Sequence, residues 1–102
     1  PQANAIVVAP MTFNTMNKWA AGIADTLAIS LLSEYLGLNV PIVAAPNINP
    51  ALARHPVMRE NLAKLQSWGV RVLFEPSAPP PTWMVSWQRI IVELGDTTST
   101  VS

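Results

Sequence analysis

The sequence predicts an α/β fold on a parallel sheet, about half of a doubly wound domain with helices over both faces. Three observations predict it. Short, wholly apolar, β-branched runs alternate along the chain with segments of helical spacing. Two of those runs end in Ala-Pro and then small polar residues, at Pro10 and at Pro46. Half of the 102 residues are hydrophobic and only 12% are charged, a surface too apolar for a half sheet standing alone.

Residues 5–9 (Ala-Ile-Val-Val-Ala) form the first strand, apolar on both faces as a parallel sheet requires, and Pro10 stops it. Residues 11–21 read as a polar loop and a short helix broken at Gly22. Residues 25–36 have helical spacing through Leu27, Ile29, Leu31, Leu32 and Leu36, with Gly37 as the stop. Residues 41–46 repeat the apolar strand, and 47–50 repeat the polar loop. His55-Pro56 starts a helix, because proline at the first helical position gives up no hydrogen bond. Val57, Asn61, Leu62, Leu65 and Trp68 carry that helix to Gly69. Residues 70–74 form a third strand. Residues 76–81, four prolines in six, form a stiff loop that stands open or covers a ligand. Thr82 caps a last helix through Leu94, with Gly95 after it. Residues 1–95 therefore form one half-domain and 96–102 a flexible tail.

Composition excludes several functions. Six basic and six acidic residues cancel, which removes the electrostatic footprint of a nucleic-acid binder or a polybasic membrane docker. No cysteine means no disulfide, thiolate nucleophile or cysteine metal site. His55 is the only histidine, so a multi-histidine metal centre is excluded, and its place before Pro56 fits a helix start. No metal is expected. The longest apolar run, residues 23–32, is broken by Asp25, Thr26 and Ser30 and falls short of the about 18 residues of a membrane span. With no basic leader, the chain is expected to be cytoplasmic and part of a larger polypeptide or oligomer.

In an open parallel sheet, ligands sit beyond the carboxyl ends of the strands. Thr12, Asn14 and Thr15 follow the first strand, and Asn47 and Asn49 follow the second. Hydroxyls, carboxamides and free backbone N–H groups suit a phosphate or carboxylate without any cation. The competing account is that Thr12, Asn14 and Asn49 only cap helices and form turns. Trp19, Trp68, Trp83 and Trp87 could stack on a flat ligand. Equally, they are core or interface residues, with Trp83 and Trp87 four apart on one helix face.

Residues 5–25 resemble the flavin-containing cysteine decarboxylases, the phosphopantothenoylcysteine and peptidyl-cysteine enzymes among them. Pro10-Met11-Thr12-Phe13-Asn14-Thr15 is similar to their P-A-S-A-N-T motif, and Lys18, Ala20, Gly22 and Asp25 to the following K-x-A-x-G-x-x-D. Pro46-Asn47-Ile48-Asn49 resembles the start of a second motif, P-x-M-N-x-x-M-W, and Pro56, Arg59, Asn61, Leu62, Leu65 and Gly69 continue the pattern. The resemblance spans about residues 3–76. It implies the C-terminal half of a three-layer Rossmann-like (flavodoxin-like) domain that binds FMN in a homotrimer or a multiple of it. By the same carry-over Thr12, Phe13, Asn14 and Thr15 contact FMN, Asn47 lies near the flavin, and Asn49 holds the substrate carboxylate as the catalytic residue.

The implied activity is oxidative decarboxylation of a peptidyl or other cysteine-derived substrate, and the alternative is a flavin-binding subunit without it. A flavin prenyltransferase, from the same superfamily, is not supported, because this sequence has no arginine at the matching place after the second motif. Ile48, Leu52 and Ala53 stand where the motif has Met, Met and Trp. The family's catalytic histidine lies upstream of the first motif, in the N-terminal half outside this chain. Residues 76–81 replace the family's Ala-Cys-Gly, so pantothenate-pathway activity is not expected.

Overall fold

The structure, a computed structural model, describes residues 5–74 and 83–101, with side chains as far as residue 94. The elements run β1 (Ile6–Met11), α1 (Phe13–Ala20), α2 (Leu27–Gly37), β2 (Ile42–Pro46), α3 (Pro50–Ala53), α4 (Pro56–Ser67), β3 (Arg71–Val72) and α5 (Trp87–Val101). Among the described residues the sheet has the order β1-β2-β3 and is parallel throughout.

β2 is buried along its whole length, and its two-residue alternation divides the core. Ile42 and Ala44 face Met16, Trp19, Ile29, Leu32, Met58 and Leu65 from α1, α2 and α4. Val43 and Ala45 face the opposite way, toward Leu73, Val85 and Ile90, where α5 covers the sheet. That double burial is why the run is apolar at every position. The result is three layers of helix, sheet and helix, the Rossmann-like arrangement expected. β1 pairs with β2 through Ile6↔Ile42, Val7↔Val43 and Val8↔Ala44, and the register shifts before Met11↔Pro46. Pro10, which has no N–H for the ladder, lies inside that shift. β1 has no strand on its other edge among the described residues.

Most of the turns lie where the sequence puts them. Gly22 and Gly69 take φ of 77° and 94°, the left-handed conformation that lets the chain leave α1 and α4. Others differ. α2 runs through Gly37, and the chain turns at Asn39, with φ 62°. Asparagine tolerates that region better than other side chains, so it supplies the stop expected of Gly37. The third strand is only two residues long. A single turn of helix, α3, fills part of the second polar loop.

The last helix begins at Trp87, and Ser86 caps it: its Oγ accepts from the Arg89 N–H at 3.2 Å. Trp83 therefore lies outside the helix and shares no helical face with Trp87. Helical backbone continues through Val101, past the stop expected at Gly95. A helical glycine costs only about 1 kcal/mol relative to alanine, so Gly95 does not force an end. The proline loop expected at residues 76–81 lies outside the described residues.

Candidate functional site

The carboxyl ends of β1 and β2 are held side by side. The Asn47 N–H donates to the Met11 carbonyl at 3.0 Å, tying the loop after β2 to the end of β1. Each strand then turns into a helix through a side-chain cap. Thr12 is extended (φ −78°, ψ 162°), and its Oγ1 accepts from the Thr15 N–H at 3.1 Å. Asn49 is extended too (φ −65°, ψ 159°), and its Oδ1 accepts from the Leu52 N–H at 2.9 Å. Capping is thus established for both residues, and it is compatible with binding.

Between these caps lies a cavity of about 480 Å³ lined by Thr12, Phe13, Asn14, Asn47, Ile48, Asn49, Leu52 and Trp83. Five of the six residues singled out in the sequence meet there: Thr12, Phe13, Asn14, Asn47 and Asn49. Thr15 does not line it. Its Oγ1 accepts from Thr12 Oγ1 at 3.1 Å, so it holds the cap behind the wall. Ile48, Leu52 and Trp83 are additions. Nothing in the spacing separates Trp83 from the other three tryptophans, because its place depends on how the chain returns to the sheet.

No ionisable side chain lines this cavity among the described residues. Its polar groups are neutral. Asn49 spends Oδ1 on its cap, leaving the two N–H groups of Nδ2 as its donors toward a ligand. The first-turn N–H groups of α1 add donors with the positive end of the helix dipole. Phe13, Ile48, Leu52 and Trp83 supply apolar walls beside them. This donor set suits a molecule with a flat apolar part and an anionic or carbonyl-bearing part.

The other motif residues work elsewhere. Lys18 Nζ and Asp25 Oδ2 are 2.8 Å apart, joining the end of α1 to the loop before α2. The hydrogen bond from Lys18 is the main cause that holds the Asp25 carboxyl below its usual value; it outweighs an opposing effect of desolvation, and the lysine charge adds a smaller push in the same direction. His55 caps α4, its Nδ1 accepting from the Val57 N–H at 3.0 Å. Its ring meets Phe13 edge-on with centroids 5.8 Å apart. The histidine therefore backs the cavity wall and lies outside the lining.

The Flavoprotein family model matches residues 1–98 of this chain. The chain belongs to the Flavoprotein family. Its relatives include a cysteine/cysteine sulfinic acid decarboxylase from an unknown prokaryotic organism, 40% identical over 72 residues, which are 71% of this chain and 19% of that protein. Among solved structures, HAL3 from Cryptococcus neoformans superimposes with a TM-score of 0.79 at 32% identity, over 98% of this chain and 51% of that one. The FMN-dependent cysteine decarboxylase TvaF from thioviridamide biosynthesis gives 0.73 at 28% identity, over 95% and 51%. The chain thus spans about half the length of these solved Flavoprotein relatives and about a fifth of the curated one.

Proposed function

We propose that the protein carrying this chain binds FMN in the cavity beyond β1 and β2 and decarboxylates a cysteine-derived substrate, peptidyl or free. The observation that carries this reading is the neutral cavity itself, where family-motif residues from both loops meet apolar walls. Thr12, Phe13 and Asn14 line the flavin side from α1, with Thr15 bracing Thr12, and Asn47 closes it from the loop after β2. Bound flavin would supply two-electron oxidation of the substrate thiol to a thioaldehyde, from which carbon dioxide leaves.

The chain's own contribution is positioning. Asn49 Nδ2 donates to the substrate carboxylate without neutralising it, so the group stays ionised and can leave as carbon dioxide, the pair of the broken C–C bond passing to the thioaldehyde fragment. The catalytic histidine, the N-terminal strands and the partner copies of a homotrimer come from outside residues 1–102, and the protein works in the cytoplasm. The edge of β1, which has no partner strand among the described residues, supports further strands from the N-terminal half. Exposed Leu27 and Leu31 on α2, 78% and 43% exposed, support a partner surface.

A second reading, a flavin-binding subunit without decarboxylase activity, is favoured by Ile48 and Leu52. They line the cavity where the decarboxylase motif has methionines. One experiment decides. The native full-length protein, loaded with FMN, is incubated with a peptide ending in cysteine and the product is weighed. Loss of carbon dioxide plus two hydrogens is expected, and an unchanged peptide beside a fully loaded flavoprotein would leave the second reading standing.

A further inference from the structure

We infer that Trp83 is the aromatic wall of this cavity on which the flat ring of the bound flavin rests. The inference relies on the flavin reading above.

The first ground is backbone conformation. Trp83 has φ of 43°, a region that bulky L-residues rarely occupy. The other described left-handed positions in this chain are Gly22, Asn39 and Gly69, the residue types that tolerate the region. A turn alone would be served as well by either type. Trp83 keeps an indole at a strained position, and such strain persists where the surrounding structure fixes it and the side chain has a use.

The second ground is what fixes it. Met84 and Val85 enter the core on the α5 face with Val43, Ala45 and Ile90, and Ser86 then caps α5. The chain is therefore anchored immediately after Trp83. The third ground is position, because Trp83 alone of the four tryptophans lines the cavity. Trp19 is buried with α1 in the other core, Trp68 lies under the Lys64 ammonium at 5.8 Å, and Trp87 is exposed at the start of α5. Trp83 joins Phe13, Ile48 and Leu52 as the apolar lining of the cavity that Asn47 and Asn49 line with carboxamides. A π-rich ring is what such a wall takes best, and an indole stacked on a flavin quenches its fluorescence.

The test uses the native full-length protein with Trp83→Gly and Trp83→Phe. FMN and riboflavin are titrated by flavin fluorescence, and melting is followed without ligand. Trp83→Gly should abolish the quenching and weaken both ligands equally, by about tenfold, since stacking on one aromatic ring is worth that much and both ligands share the ring. Its melting temperature should not fall, because glycine accepts the left-handed φ without strain. Trp83→Phe should retain most of the affinity. Parental affinity and quenching in both variants would overturn the inference while leaving the flavin site standing. A loss confined to FMN would overturn it as well, since the contact would then lie at the phosphate. A parent that binds neither flavin overturns the functional reading and this inference together.

Discussion

Asn61 on α4 donates from its side-chain amide to Asn17 Oδ1 on α1 across 2.8 Å, joining residues 44 positions apart. The bond is partly buried and fixes α1, whose first turn forms one wall of the cavity, against the helix that follows the second loop. Removing one partner leaves the other amide poorly solvated. Asn61→Ala should therefore cost about 1–2 kcal/mol in urea denaturation. The double variant with Asn17→Ala should cost less than the sum of the singles, and strict additivity would show that the pair does not interact.

A second expectation concerns pH. Lys18 lowers the pKa of Asp25 in the folded protein, so the ionised carboxylate stabilises the fold. A group with a depressed folded pKa contributes above its unfolded value, about 3.9, and that contribution disappears as pH falls through the folded pKa. Parent and Asp25→Asn should differ in melting temperature near neutrality and converge in strong acid. Added salt should narrow the neutral difference, because both side chains are partly exposed. A constant gap down to the lowest pH would remove the pair from the account.

Much of this was legible in the residues, for local reasons. Pro46 ends β2, and Gly22 and Gly69 place two helix stops, because proline and glycine act on their own dihedral angles; Pro10, the stop expected for β1, only shifts its register, and the strand runs on to Met11. Thr12, Asn14, Asn47 and Asn49 were legible as a group because parallel strands must present the loops at their carboxyl ends to one region. The rest depends on tertiary contacts. Asn39 takes over from Gly37, since the turn depends on how the chain leaves α2, with the Val40 N–H returning to the Tyr35 carbonyl before β2 begins at Ile42. Ser86 takes over from Thr82 because Val85 must reach the α5-side core before a helix can begin. Trp83 enters the site through that same return of the chain, which no periodicity encodes.

Core packing gives a third expectation. Leu65 is fully buried among α1, α2 and α4 against β2. Leu65→Ala should cost about 2–5 kcal/mol, from lost transfer energy and a residual cavity. A midpoint shift in urea without a change in slope is the signature, and a loss below 1 kcal/mol would mean that the site collapses fully around the truncated side chain.

Asn14 tests the flavin side. It lines the cavity but is not the cap of α1, so Asn14→Ala should leave the melting temperature of the ligand-free protein near that of the parent. Flavin affinity should fall about tenfold to a hundredfold, as expected for one charge-assisted hydrogen bond. Unchanged affinity would move the flavin away from the first turn of α1.

Asn49 offers the sharpest separation, because its two ends do different work. Oδ1 caps α3 through the Leu52 N–H, and Nδ2 is the end left for a ligand. Aspartate caps a helix as well as asparagine does, so Asn49→Asp should keep the fold and the flavin. It replaces the donor with a second negative oxygen, which repels a substrate carboxylate instead of holding it. Turnover of a cysteine-terminated peptide should therefore be lost while flavin content and melting temperature stay parental. Asn49→Ala should instead lose both functions, with about 1 kcal/mol of stability going with the cap. If Asn49 is only a cap, the order reverses: the aspartate variant works like the parent and the alanine variant is merely less stable. Measuring turnover, flavin content and melting together on the two variants decides which end of Asn49 matters.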